Sequence, residues 1–141
     1  MFMGEFHHNI DEKGRITIPS KLRDGLKEDF IITRGLDGCL FIYPKEEWNI
    51  VINKYKELPN TLEKRQFMRI FLSGATTCEY DKMGRINIPK PLIDYAKLEK
   101  ECIIIGVDEH LELWSKTIWD NFINSNEEAM SNICDKLFTN N

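Results

Sequence analysis

Two short stretches of this 141-residue chain carry the same polar residues at the same spacing: Asp11-Glu-Lys-Gly14-Arg15 and Asp81-Lys-Met-Gly84-Arg85. The residue types suit the binding of an anion better than covalent chemistry. Arginine carries a planar fork of donors that matches a phosphate or the O6/N7 edge of guanine, and lysine meets phosphate as a point charge. A carboxylate aimed at phosphate would repel it. Asp11 and Asp81 are therefore read as braces of the turn backbone, with Gly14 and Gly84 supplying the positive φ that such a turn needs. A second reading of Arg15 and Arg85 stays open, in which each pairs with its own Asp across the turn.

No nucleophile with a neighbouring base and no phosphate-cradling loop accompanies these residues, so an enzyme is not expected. His7, His8 and His110 have no Cys or carboxylate at metal-ligand spacing, so no metal, cofactor or small-molecule substrate is expected either. Cysteines 39, 78, 102 and 134 are too far apart for a small disulfide scaffold, which fits a reduced, cytoplasmic interior. There is no apolar run long enough to span a membrane and no secretory signal pattern at the start.

The net charge of −4 speaks against a polyanionic partner, but its distribution does not. From Lys13 to Lys27 five cations face one anion, and from Lys82 to Lys97 four face one. From Leu98 onward three cations face nine anions. The basic windows thus coincide with the two motif stretches and their downstream flanks, and the acid is concentrated at the far end.

The elements that position the motifs repeat as well. At an offset of 70, DEKGRITIPSKLRDGL (11–26) and DKMGRINIPKPLIDYA (81–96) share eight of sixteen residues. Farther on the offset becomes 71, with Gly35-Leu-Asp37 facing Gly106-Val-Asp108 and Trp48 facing Trp119. The chain is an internal duplication. In each unit a strand ends near Ile10 or Tyr80 and the turn follows. Arg-Ile-x-Ile then forms an alternating strand with both Ile on one face and Arg leading on the other. Pro19 or Pro89 stops that strand and starts a short helix, Ser20 to Leu26 or Lys90 to Ala96. Two further strands, around Phe30–Thr33 and Cys39–Tyr43 or Cys102–Ile105 and His110–Trp114, flank a Gly-x-Asp turn. Four short strands cannot close a core alone, so each unit needs the other.

Between the units the spacing predicts a helical hairpin, entered at Pro44, with Thr61 as N-cap of its second helix. Ser125-Asn-Glu-Glu128 reads as a capping box opening a C-terminal helix, with Met130, Ile133, Cys134, Leu137 and Phe138 on one face. That face is expected to pack on its own core, on another protein or on a neighbouring subunit, the last being the reading preferred. Tyr43, Trp114, Trp48 and Trp119 are expected in the core rather than as base-stacking platforms.

With these residues in view, the chain resembles the MraZ family of bacterial transcriptional regulators, which are built of two SpoVT-AbrB-type units. Gly4-Glu5, the two Asp-x-x-Gly-Arg-Ile-x-Ile-Pro segments, Gly35-x-Asp-Gly-Cys-Leu40 and the hairpin carry the resemblance, over about residues 1–120. It implies a mixed α+β, mainly β fold: a swapped-hairpin, AbrB-like β-barrel in which the units pair as a pseudo-dimer. The units are residues 5–47 and 74–119, with the hairpin at 48–73 and a C-terminal helix or tail at 120–141. It further implies a ring-like homo-oligomer that binds double-stranded DNA at direct repeats, in the cytoplasm and at the nucleoid, and represses the cell-division and cell-wall gene cluster. Carried over from the family, the DNA contacts fall to Arg15 and Lys13 in the first loop and to Arg85 and Lys82 in the second. Lys21 and Arg23 add a flanking basic surface or simply solvate a helix. Met83 departs from the first loop, where Lys13 stands, and the second loop is read as less cationic and mainly scaffold. The alternative function is an antitoxin-like protein-interaction module on the same kind of barrel.

Overall fold

The computed structural model describes residues 1–139. In chain order the elements are β1 (Glu5–Asn9), β2 (Arg15–Thr17), α1 (Ser20–Leu26), β3 (Phe30–Arg34), β4 (Leu40–Pro44), α2 (Lys45–Lys56), α3 (Leu62–Ser73), β5 (Thr76–Cys78), β6 (Arg85–Asn87), α4 (Lys90–Tyr95), β7 (Glu101–Val107), β8 (His110–Ser115), α5 (Lys116–Asn126) and α6 (Met130–Thr139).

Six strands form one sheet in the order β1-β7-β8-β4-β3-β5, and β2 pairs with β6 as a separate ribbon. Every pairing is antiparallel. The repeats exchange strands: β1 of the first pairs with β7 of the second, and β5 of the second pairs with β3 of the first. Neither repeat completes its sheet from its own residues, which is how the duplication becomes one core. The sheet does not close into the expected barrel. Its edge strands β1 and β5 each have one ladder partner, and neither forms a ladder with the ribbon.

The registers locate an approximate twofold axis. Ile16 faces Ile86, its own counterpart, at the centre of the ribbon. In the sheet, Leu40 faces Leu113 and Ile42 faces Leu111 around the central pair Phe41–Glu112. The ladders also correct the sequence superposition of Gly35 on Gly106. Arg34 lies opposite Leu40 and Gly106 opposite Leu111, so Gly106 stands in the place of Arg34. The first repeat carries an additional residue in the turn that follows. Gly106 is glycine for a reason of its own: a Cβ there would lie 2.3 Å from the Met3 nitrogen. The N-terminal segment crosses at this point, and Phe2 and Asp108 exchange backbone hydrogen bonds of 2.8 and 2.9 Å.

The main core lies between the ribbon with its flanking helices and one face of the sheet. Ile16, Ile18, Leu22 and Leu26 meet Ile86, Ile88, Leu92 and Ala96 there, over Phe30, Ile32, Leu40, Ile42, Ile104, Leu111 and Leu113. Burial of such side chains contributes about 1.5–3 kcal/mol each. A second cluster of Cys39, Ile103, Trp114 and Trp119 sits under α5. Tyr43 is buried and belongs to an aromatic group with Trp48 and Phe71 beneath the α2–α3 hairpin. Thr61 caps α3 by accepting a hydrogen bond from the Lys64 amide at 3.2 Å.

The C-terminal part departs from its sequence reading. Ser125 does not open a helix but lies in the last turn of α5, whose N-cap is Ser115, accepting from the Ile118 amide at 3.1 Å. Trp119, in the first turn of α5, is buried. α6 buries none of its residues, and Met130, Ile133 and Leu137 are exposed.

Candidate nucleic-acid interface

Both motif loops are built by the same hydrogen bonds. In the first, the Asp11 amide donates to the Arg15 carbonyl (2.9 Å) and the Gly14 amide to the Asp11 carbonyl (3.0 Å). Asp11 Oδ1 accepts from the amides of Lys13 (3.0 Å) and Arg15 (2.9 Å), and Oδ2 accepts from Arg15 Nε (2.7 Å). In the second, Asp81 Oδ1 accepts from the amides of Met83 (2.8 Å) and Arg85 (2.9 Å), and Oδ2 from Arg85 Nε (2.7 Å). Gly14 and Gly84 take φ of 81° and 75°. These donors, led by the Arg15 amide on Asp11 and the Arg85 amide on Asp81, hold both carboxyls below the usual aspartate range, against a smaller opposing effect of burial.

The two readings of the arginines are compatible in this geometry. The ion pair engages Nε, one edge of the guanidinium. Among the described residues no hydrogen-bond partner takes the terminal nitrogens of Arg15. The Arg15 and Arg85 side chains are 33% and 25% exposed, so both are accessible from outside. Arg85 Nη1 also approaches Asp11 Oδ2 at 3.9 Å, which links the two loops across the axis.

The ribbon brings the loops together. Arg15 lies opposite Asn87 and Arg85 opposite Thr17. With Ile16 and Ile86 buried, strand alternation puts these four residues on the outer face. Thr17 and Asn87 were not among the expected site residues. The period-two pattern that placed the arginines would have found them. Lys13 and Lys82 are exposed in the two loops, and Lys21 is exposed on α1.

Arg23 is placed differently from its sequence neighbours. Its Nε donates to the Ile18 carbonyl (2.8 Å), and its guanidinium lies 6.0 Å from the Tyr80 ring centroid. A Cβ at Gly84 would fall 2.5 Å from Arg23 Cζ. Arg23, from the first repeat, thus covers the second loop. Its counterpart Ile93 covers the first loop, 3.2 Å from a Cβ at Gly14. The second loop lacks a lysine at position 83 but has a cation supplied across the axis.

Comparison with known proteins agrees with the duplication. A family model described as "MraZ protein, putative antitoxin-like" matches twice, over residues 1–70 and 71–141. The chain is 49% identical over 138 residues to "Transcriptional regulator MraZ" of Natranaerobius thermophilus, covering 97% of this chain and 96% of that protein. The solution structure of PHS018 from Pyrococcus horikoshii is 19% identical over 80% of this chain and 88% of that one, at a TM-score of 0.32, too low to carry weight. By the doubled match and the near full-length relative, the chain belongs to the MraZ family.

Proposed function

We propose that the chain is a sequence-specific DNA-binding regulator of transcription, and a repressor at the promoter of the cell-division and cell-wall gene cluster. The observation that carries the reading is the outer face of the β2–β6 ribbon, where Arg15 and Arg85 stand at opposite rungs with their backbones fixed by Asp11 and Asp81. A two-stranded ribbon fits the major groove, and arginine forks read guanine edges there. Lys13, Lys21, Arg23 and Lys82 then supply phosphate contacts that set register. The name of the relative from Natranaerobius thermophilus points the same way. We read the exchange of β1 and β5 between repeats as a swapped-hairpin pseudo-dimer, with repeats at 5–47 and 74–119 joined by the connector 48–73 and followed by 120–141.

One chain presents few cations and carries a net charge of −4. Affinity then comes from several chains that present their loops to successive direct repeats, because linked sites act at high effective concentration. The exposed apolar residues Met130, Ile133 and Leu137 on α6 suit contact with a neighbouring copy in a ring. Light scattering of the protein with and without a duplex of tandem promoter repeats tests the arrangement. A multimer that binds the duplex, with log Kd rising steeply with log salt, is expected. A monomer that stays monomeric with DNA present would overturn the assembly, and an affinity independent of salt would overturn the phosphate contacts.

A further inference from the structure

The two loops share one backbone but not one chemistry. Superposition of the repeats at the motif puts Met83 where Lys13 stands, and both residues donate their amide to the Asp at the start of the loop. That bond fixes the backbone, so Met83 has no path into the core. It is 69% exposed. Among the described residues the other exposed large apolar side chains lie at the N-terminus, on helices, in the connections at Leu36 and Leu58 or at the end of β7, and Met83 is the one within a motif loop. Around it cations outnumber anions: Lys82 precedes it, Arg85 follows two residues on and is paired with Asp81, and the Arg23 guanidinium packs against Gly84.

A thioether side chain in such a loop gains nothing from phosphate and has its best contact with an apolar group. The grooves of DNA contain one prominent apolar group, the 5-methyl of thymine in the major groove, and apolar side chains contact it there. Methionine is unbranched and polarisable, so it adapts to a methyl group whose position is set by the register of the flanking cations. Resting on the DNA-binding reading above, we infer that Met83 is a specificity-determining residue that contacts a thymine methyl in the major groove. The first loop, with Lys13 in that place, makes a phosphate or guanine contact instead. The ribbon therefore reads an asymmetric sequence through a nearly symmetric backbone.

The test pairs a side-chain change with a single-methyl change in the DNA. The full chain first selects a duplex from a randomised pool. Each thymine of that duplex is then replaced in turn by deoxyuridine, and affinity is measured by fluorescence anisotropy for the unmodified chain, Met83→Ala and Met83→Lys. At one thymine the replacement should weaken the unmodified chain about fourfold, the worth of one methyl-sized contact. At that same thymine it should leave Met83→Ala unchanged. Met83→Lys should bind non-cognate DNA more tightly and lose discrimination at that position. If every deoxyuridine effect is the same in Met83→Ala as in the unmodified chain, the inference fails while the DNA-binding reading stands. If the pool yields no selected duplex, both fail.

Discussion

The guanidinium of Arg23 lies against the backbone of Gly84, in the opposite repeat and across the approximate twofold axis. Its Nε is tied to the Ile18 carbonyl at 2.8 Å, so the side chain is held in place rather than free in solvent. The loop of one repeat is thus supported by the short helix of the other. Arg23→Ala should speed amide hydrogen exchange in residues 81–85 and leave residues 11–15 unchanged. Faster exchange confined to the first loop would contradict this placement.

The glycine of each loop is required by backbone and by space. Gly14 has φ 81°, and a Cβ there would lie 2.8 Å from the Ile88 carbonyl oxygen. Gly14→Ala should cost about 1–2 kcal/mol or more from the left-handed conformation, before the clash with the ribbon is relieved. Denaturant unfolding measures it. A stability equal to that of the unmodified chain would show that the loop has another conformation.

Asp11 and Asp81 brace the loops as carboxylates. Their folded pKa values lie below the ordinary aspartate value, so the ionised form favours the folded loop. That contribution is fully present above about pH 4 and is lost as pH falls through the lower folded values. The amide shifts of Arg15 and Arg85 should accordingly stay constant from neutral pH down to about 4 and move only below it. A midpoint near neutrality would mean that the aspartates do not hold these amides.

The pair Ile16–Ile86 sits at the centre of the ribbon, each residue 1% exposed. Either residue changed to Ala should cost about 2–5 kcal/mol. Because the two are cross-strand partners, the double variant should cost less than the sum. Thermal and denaturant melts of the three variants decide this, and strict additivity would contradict direct packing across the axis.

Thiol accessibility checks the core independently. Burial pushes the Cys78 and Cys102 thiols up to about 12 and about 11, and raises Cys39 further, while Cys134 is exposed. A native alkylation time course should label Cys134 rapidly and the other three only on unfolding. Fast labelling of Cys78 in the native chain would show that the β3–β5 edge opens.

What the sequence disclosed follows from how local each feature is. The Asp-x-x-Gly-Arg turns, the alternating Ile pattern and the Thr61 cap depend on neighbours a few residues away, so spacing was enough to place them. The role of Arg23 depends on strand exchange between residues about a repeat apart, which no local pattern records. Spacing alone grouped it with Lys21 on α1 and could not show that its guanidinium lies against Gly84. Gly35 and Gly106 align by residue type, yet only Gly106 is crossed by the N-terminal segment, and the ladders separate them. The helix carrying Met130, Ile133 and Leu137 is present as α6, but it starts at Met130, because Ser125 and Asn126 are taken up by the last turn of α5. The resemblance led to a closed barrel, whereas hydrogen bonding yields an open sheet and a separate ribbon.

On the proposed function, the motif arginines bind DNA while their aspartates hold the turn. The most direct measurement is anisotropy titration of a tandem-repeat promoter duplex with the unmodified chain, Arg15→Ala and Arg85→Ala, alongside circular dichroism. Each variant should keep its spectrum, and Arg15→Ala should lose at least about fivefold in affinity, in line with about 1–3 kcal/mol for one good arginine–guanine contact. An unchanged affinity in Arg15→Ala with the fold intact would contradict the account.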